Sequence, residues 1–461
     1  MRHLNHISKF IATACLACSA WIAPNPARAA ITPSGQITTS FGGAIDIYHT
    51  TASQLIAIGF DAPGSLIIDE DTEFNSRHLF IGSRAAAIGG LTVSGPQAKS
   101  ITRSGLKIGF SGIGQLNLKN GAYAKAAYAN IGVYNAGFLN GSANIQDPDT
   151  HFEVGGILAV GQWGNAALEI SNGAKVTANS TDMATYDTAT ALINLRGANS
   201  QWITTQSLFI GRGGTATLNI TGGASAQAQN VQTAVNATAE ANITLQGAST
   251  QWQVVHAFKL GINGQSTLSI KQGATLNIGT SLAINDQAIL NIAPTLQNNI
   301  PIHVVQGATL NGELNIITDD LKYIDPSQSL PLINIGGVAS GQFQNRSEGD
   351  LVASINQYDF YLTYLGGDGN DIHLTTQTTD QMEGDINNDG LVNHADLLFA
   401  RKYMGSNSFR GDANHDGVTD LGDLFSVRNY FMPVREMSIP EPTSLLTFVG
   451  LSLMLGRRRL G

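Results

Sequence analysis

Apolar and polar residues alternate in short runs along most of the chain, and between residues 143 and 293 the runs return at a step of fifty. Leu168, Leu218 and Leu268 keep that step, as do Ile170, Ile220 and Ile270. Gly161, Gly211 and Gly261 keep it too, with Gly173-Ala174, Gly223-Ala224 and Gly273-Ala274, and with Phe152, Trp202 and Trp252. Looser copies precede them, at Leu106-x-Ile108-Gly109 with Leu116-x-Leu118, and at Phe80-Ile81-Gly82 with Leu91-x-Val93. An apolar pair at i and i+2 puts both side chains on one face of a strand, while Glu169, Asn219 and Ser269 fill the outward position between them. Gly, Asn, Ser and Gln between the strands read as corners.

One such turn of chain cannot bury its own apolar face; stacked copies bury one another and bond backbone to backbone. Half-units also match, because Ile193-x-Leu195-x-Gly197 and Ile243-x-Leu245-x-Gly247 precede the Trp positions. The fifty-residue period therefore predicts two coils of about twenty-five residues each. The expected fold is mainly β: a right-handed parallel β-helix over residues 76–376, with strands or a cap at 30–75. Roughly thirteen coils at ~4.8 Å each would make a stack roughly 60 Å long.

Composition agrees with strands and tight corners: 51 Gly, and 13% charged residues. A net charge of −9 argues against nucleic acid as a partner. The two cysteines, Cys15 and Cys18, lie in an N-terminal apolar segment, so the mature chain is expected to hold no thiol. Residues 1–29 read as a secretory signal, with Arg2 and Lys9 before an apolar stretch from Phe10 to Ala23. Ala27-Arg28-Ala29 offers an A-x-A cleavage site between Ala29 and Ala30; a retained anchor is the other reading.

Charge is scarce on the repeats. A polysaccharide-cleaving site would need carboxylates and bases gathered on one face. Glu153, Glu169, Asp182 and Asp187 stand singly and read as solvated side chains, and His151 and His256 lack a second ligand at metal-binding spacing. The column Phe152, Trp202, Trp252 suits either a sugar-stacking platform or an interior stack, and the recurrence favours the interior. The acidic run Asp69, Glu70, Asp71, Glu73 is either a cation site or, as favoured, a solvated corner. Gly366-Gly367-Asp368-Gly369-Asn370-Asp371 is similar to the calcium repeats of β-rolls, but a single copy favours a hairpin turn. The strands around it resemble the ends of autotransporter-like passenger repeats.

After a polar linker at 377–383, two acidic loops follow twenty-seven residues apart. Read as twelve-residue calcium loops, the first offers Asp385, Asn387, Asp389, the backbone of Leu391, Asn393 and Asp396. The second offers Asp412, Asn414, Asp416, the backbone of Val418, Asp420 and Asp423. A hard cation takes six to eight oxygens, so alternate residues of a tight loop point inward, and Gly390 and Gly417 supply the sharp turn. An apolar residue, Leu397 or Leu424, follows each loop and starts a helix.

Residues 384–432 resemble the type I dockerin module, which has two such loop–helix repeats with Asp in the last loop position. The resemblance implies two calcium ions, calcium-dependent folding and a cohesin-like partner. It also implies that loop positions ten and eleven contact that partner. Here they are His394-Ala395 and Leu421-Gly422, unlike the Ser-Thr pair of the best-known members. Arg401-Lys402 and Arg428 stand in the helices where basic residues are expected.

At 438–461, Pro440-Glu441-Pro442 precedes a short apolar helix and Arg457-Arg458-Arg459. That order resembles the PEP-CTERM sorting signal. The resemblance implies that an exosortase-type enzyme recognises Pro440, Glu441 and Pro442 and processes the chain, whose hydrophobic segment holds it in the membrane beforehand; an ordinary tail anchor is the other reading. The chain as a whole reads as an exported, non-catalytic surface or matrix protein, structural or adhesive. The alternative is a carbohydrate-active or glycan-binding β-helix acting on an extracellular polysaccharide and tethered through its dockerin-like module.

Overall fold

The computed structural model describes residues 30–39, 50–134, 139–294, 299–318, 321, 329–355, 358–378, 383–387, 391–405, 411–414 and 418–431. Strand makes up 56% of the chain, in a β-solenoid of about ten turns, and the described residues include two short helices. The chain divides into two compact units, residues 1–353 with 360–376, and residues 354–359 with 377–461.

The twenty-five-residue coil is visible in the register. Leu168 pairs with Ile193, Ile193 with Leu218, Leu218 with Ile243, Ile243 with Leu268 and Leu268 with Leu290, all in parallel. Every one of these side chains is at most 1% exposed, and each contributes about 1.5–3 kcal/mol of burial. One coil runs through Asn165–Ser171 in a twelve-stranded first sheet and Lys175–Met183 in a second sheet, then returns at Thr190–Arg196. The corner between the first two needs left-handed backbone, with φ of 55° at Asn172 and 88° at Gly173; Asn and Gly adopt it most readily.

The interior of the second sheet explains why the sequence repeats at fifty and not at twenty-five. Phe152, Val176, Trp202, Ala226, Trp252 and Leu276 are successive neighbours there. Large rings alternate with smaller residues, because an indole fills interior volume on either side of its own rung. Phe152, Trp202 and Trp252 are all at most 1% exposed, so the column is an interior stack.

The ends close with reversed strands. Ala30–Gly35 pairs antiparallel with Gly64–Asp69, and Ile37–Thr39 with Leu55–Ile58. At the far end Leu330–Ile335 pairs antiparallel with Asp371–Thr378. Such pairings protect edge strands that parallel stacking would leave open. At the far end they use chain that was expected to coil, whereas at the near end parallel stacking starts before residue 76, since Leu55–Ile58 and Gly64–Asp69 already pair with His78–Ile81 and Ile88–Ser94.

Residues 367–370 form the expected turn, and buried Asp371 accepts from the Ile335 amide at 2.6 Å and the Asn334 side chain at 3.1 Å. Glu70 and Asp71 have φ of 22° and 43°, the backbone of a corner.

Candidate metal centre

The second unit is built on two helices, α1 (His394–Tyr403) and α2 (Leu421–Asn429), each entered from one of the acidic loops. Ile386, Val392, Ala400, Ala413 and Val427 form its core, with Leu397 and Leu424 packed against it. Leu397 and Leu424, and Ala400 and Val427, are related by the twenty-seven-residue step. Apolar residues at these helical intervals turn one side of each helix inward.

The last carboxylate of each loop is fully buried, Asp396 and Asp423 both at 0% exposure. Asp396 Oδ1 accepts from the Asn387 amide at 3.0 Å and Oδ2 from the Asn393 amide at 2.9 Å. Asp423 repeats the arrangement one unit on. Its Oδ1 accepts from Ala413 at 2.6 Å and Asn414 at 3.2 Å, and its Oδ2 from Asp420 at 2.7 Å. Each loop is thereby cinched onto its own closing carboxylate. Asp385 and Asp412 are buried as well, at 5% and 1% exposure.

Loop position nine does a second job. Asn393 Oδ1 accepts from the Ala395 amide at 2.8 Å, and Asp420 Oδ1 from Gly422 at 2.6 Å. With the position-twelve acids, these close a capping box at the start of each helix. Loop spacing by itself marks Asn393 and Asp420 as ligands only, and the capping role is an addition to it. The signal was present, since Asn-x-x-Asp and Asp-x-x-Asp precede the helical runs. Position nine therefore addresses the helix and would reach a cation through water, a common arrangement in loops of this kind.

Leu391 and Val418 lie at the position whose carbonyl would bind the ion, and Leu391 O accepts from Asn393 Nδ2 at 3.2 Å. Asp389 and Asp416 lie outside the described residues. Among the described residues no group of three or more His, Cys, Asp or Glu gathers to hold a metal. Each loop's remaining donors are Asn side chains and backbone oxygens, with the Asp420 carboxylate in the second loop, all hard oxygens of the kind that calcium takes. Neither Asp396 nor Asp423 has a Lys, Arg or His partner among the described residues. Buried carboxylates need compensation by donors or a cation. The amides supply part of it, and a divalent ion fits the rest.

The acids of the solenoid were read as solvated, and for three of them this is corrected. Glu153 is 2.7 Å from Lys125 Nζ and accepts from Tyr123 Oη at 2.6 Å. Glu169 pairs with Arg196 and also accepts from Asn194. Asp182, 6% exposed, pairs with Arg212 at 2.7 Å. Each partner stands on an adjacent coil, a proximity set by the stack and not by chain spacing. Asp187 is exposed as expected, His256 is exposed too, and His151 meets Thr177 Oγ1 at 2.9 Å.

Ala30 begins the first described strand, while Ala29, Pro440, Glu441 and Pro442 lie outside the described residues. Among the described residues no helix is long and apolar enough to cross a membrane.

Residues 383–432 match the dockerin type I domain family. No curated protein and no solved structure matches the chain. Dockerin type I domains bind calcium and attach to cohesin partners, outside the cell or at its surface.

Proposed function

We propose that this is an exported, non-catalytic structural or adhesive protein. Its solenoid is the displayed part, and its dockerin-type module binds two calcium ions and fastens the chain to a cohesin-like partner. The observation that carries the reading is the pair of buried closing carboxylates, Asp396 and Asp423, each gripping its own loop in the same way. Two equivalent loops call for two equivalent ions.

Partner contact falls to the outward side of the helices. Leu421 and Phe425 are 61% and 59% exposed, and Leu398, one unit before Phe425, is 54% exposed. Large apolar residues left in water this way mark interaction surfaces. They take the place of the Ser-Thr pair that His394-Ala395 and Leu421-Gly422 lack.

The non-catalytic reading is supported by the engagement of Glu153, Glu169 and Asp182 in ion pairs between coils. A carboxylate held by a cation is a poor proton acceptor at neutral pH. Export with cleavage before Ala30, and sorting through Pro440-Glu441-Pro442 by an exosortase-type enzyme, belong to the same proposal.

The test is capture of the full chain on immobilised cohesins with calcium and with EDTA. Calcium-dependent capture that is lost on changing Leu421 and Phe425 to Ser is the expected result. Capture indifferent to EDTA would reject the proposal.

A further inference from the structure

The N-terminal half of the solenoid carries a groove on the outer face of the second sheet. Its first part, about 700 Å³, is lined by Phe60, Arg77, His78, Phe80, Phe110 and neighbouring residues. A second part of about 650 Å³ continues towards Tyr186 and Arg212, and both parts share Lys107 and Tyr128. The floor follows the coil register. Phe80, Lys107, Asn130, Ala159 and Asp182 are successive neighbours on five coils. At ~4.8 Å per coil that is roughly 19 Å of continuous floor.

Two features of the lining point to a ligand. One is aromatic. Phe80 and Phe110 meet edge to face at 5.4 Å, and Phe110 meets Tyr134 at 5.0 Å. Trp163 and Tyr186, on the corner flanking the second part, stack at 3.6 Å while 40% and 39% exposed. Half-buried Phe80 and Phe110 and the exposed Tyr134, Trp163 and Tyr186 are ring surface that a chain molecule can cover.

The other feature is charge. Arg84 is held by Asp61 at 2.9 Å, and Arg212 by Asp182 at 2.7 Å. Arg77 and Lys107 have no carboxylate partner among the described residues. Lys107 Nζ instead lies 4.7 Å from the centre of the Phe110 ring and 5.6 Å from that of Phe80. Burial, then Arg77 and Lys107, push the His78 imidazole below its ordinary range, and burial pushes Lys107 down. Like charges are therefore gathered beside rings on a protein whose net charge is −9.

We propose that this groove binds an anionic polysaccharide, with uronate-type carboxylates against Arg77 and Lys107 and sugar faces against the Phe80, Phe110 and Tyr128 rings. A single-stranded nucleic acid also uses rings and cations, but it presents a phosphate at every step and calls for a track of cations along the whole groove. Here two cations without carboxylate partners stand at one end. The inference rests on the solenoid being the displayed, non-catalytic part, and it names the class of ligand displayed to.

The test uses the full chain with calcium in native gels containing polygalacturonate, alginate or uncharged dextran. The acidic polymers should retard it and dextran should not. In the Arg77→Ala/Lys107→Ala variant the apparent Kd should rise at least tenfold. Lys99→Ala/Lys175→Ala, an equal loss of charge on another column of the same sheet, should leave it unchanged. An unaltered far-UV strand signal keeps the comparison fair, and Lys107→Gln, a milder change, should raise Kd in the same direction.

Equal retardation by dextran, equal loss in the control variant, or no loss at Arg77 and Lys107 would overturn the groove. So would tighter binding of oligo(dT) than of the uronates. New reducing ends in the retained polymer would overturn the non-catalytic reading while leaving the groove in place.

Discussion

The ring of Tyr128 lies across Gly105, its register partner on the preceding coil, and occupies the space a β-carbon at 105 would need. The Gly105 amide in turn donates to His78 Nδ1 at 3.2 Å. One glycine thus seats both a groove ring and a groove imidazole. Gly105→Ala is expected to cost about 1–3 kcal/mol through overpacking, and Tyr128→Ala in the same chain should recover most of it. Thermal unfolding of the single and double variants measures this; additive losses would contradict the contact.

The interior ladder makes a plain prediction. Leu218 sits between Ile193 and Ile243 with no exposure, so Leu218→Ala should destabilise the solenoid by about 2–5 kcal/mol. Asn219→Ala, one residue on and facing outward, loses a bond to Asn194 Oδ1 of 2.9 Å and should cost about 0.5–1.5 kcal/mol. Similar losses at the two sites in denaturant titration would contradict the assignment of faces.

Among the described residues the buried indole N–H groups of Trp202 and Trp252 have no hydrogen-bond partner. An unpaired buried donor costs about 1–3 kcal/mol, so Trp202→Phe should be far milder than Trp202→Ala, which should cost about 3–5 kcal/mol. A Phe variant as unstable as the Ala variant would contradict an N–H without a partner, because Phe keeps most of the ring volume.

Calcium removal should separate the two units. EDTA is expected to abolish the helical contribution of α1 and α2 to circular dichroism and to leave the strand signal of the solenoid. Metal binding to carboxylate loops is coupled to their folding. Calorimetry should count two ions per chain, and Asp423→Ala should abolish the second while leaving the first. Two ions still bound by that variant would contradict the role of Asp423.

Acid should weaken the solenoid in two stages. Burial holds His151 below its ordinary value of 6.5, so the folded state binds that proton less well than the unfolded chain. Its contribution is present above pH 6.5 and is lost as pH falls towards the folded value. The Lys125 ammonium, then the Tyr123 hydroxyl, hold Glu153 below its ordinary value of 4.5. That contribution is present above pH 4.5 and is lost as pH falls below it. His151→Gln should flatten the first stage of a plot of unfolding temperature against pH, and Glu153→Gln the second. A profile that both variants leave unchanged would contradict the linkage.

The coil was legible because its cause is local and periodic. Leu168, Leu218 and Leu268 record an interior that every copy must fill, and a stack repeats its demands at the same step in the sequence. The two loop–helix repeats were legible for a similar reason, since Asn393-x-x-Asp396 and Asp420-x-x-Asp423 each start a helix within four residues of chain. The pairing of Glu169 with Arg196 and of Asp182 with Arg212 was not. Those partners meet only because coils lie side by side, and a residue read alone looks solvated.

What the sequence determined by itself was the unit of construction: apolar pairs facing inward, corners at Gly and Asn, and two acidic loops each opening a helix. The tertiary structure alone decided where coiling stops, which carboxylates are spent on neighbouring cations, and that Phe80, Lys107, Tyr128 and Arg77 share one groove. The physical reason is distance along the chain. Periodic burial leaves its mark within a few residues, whereas the outer face of a stack is assembled from positions some twenty-five residues apart whose side chains answer to no common repeat.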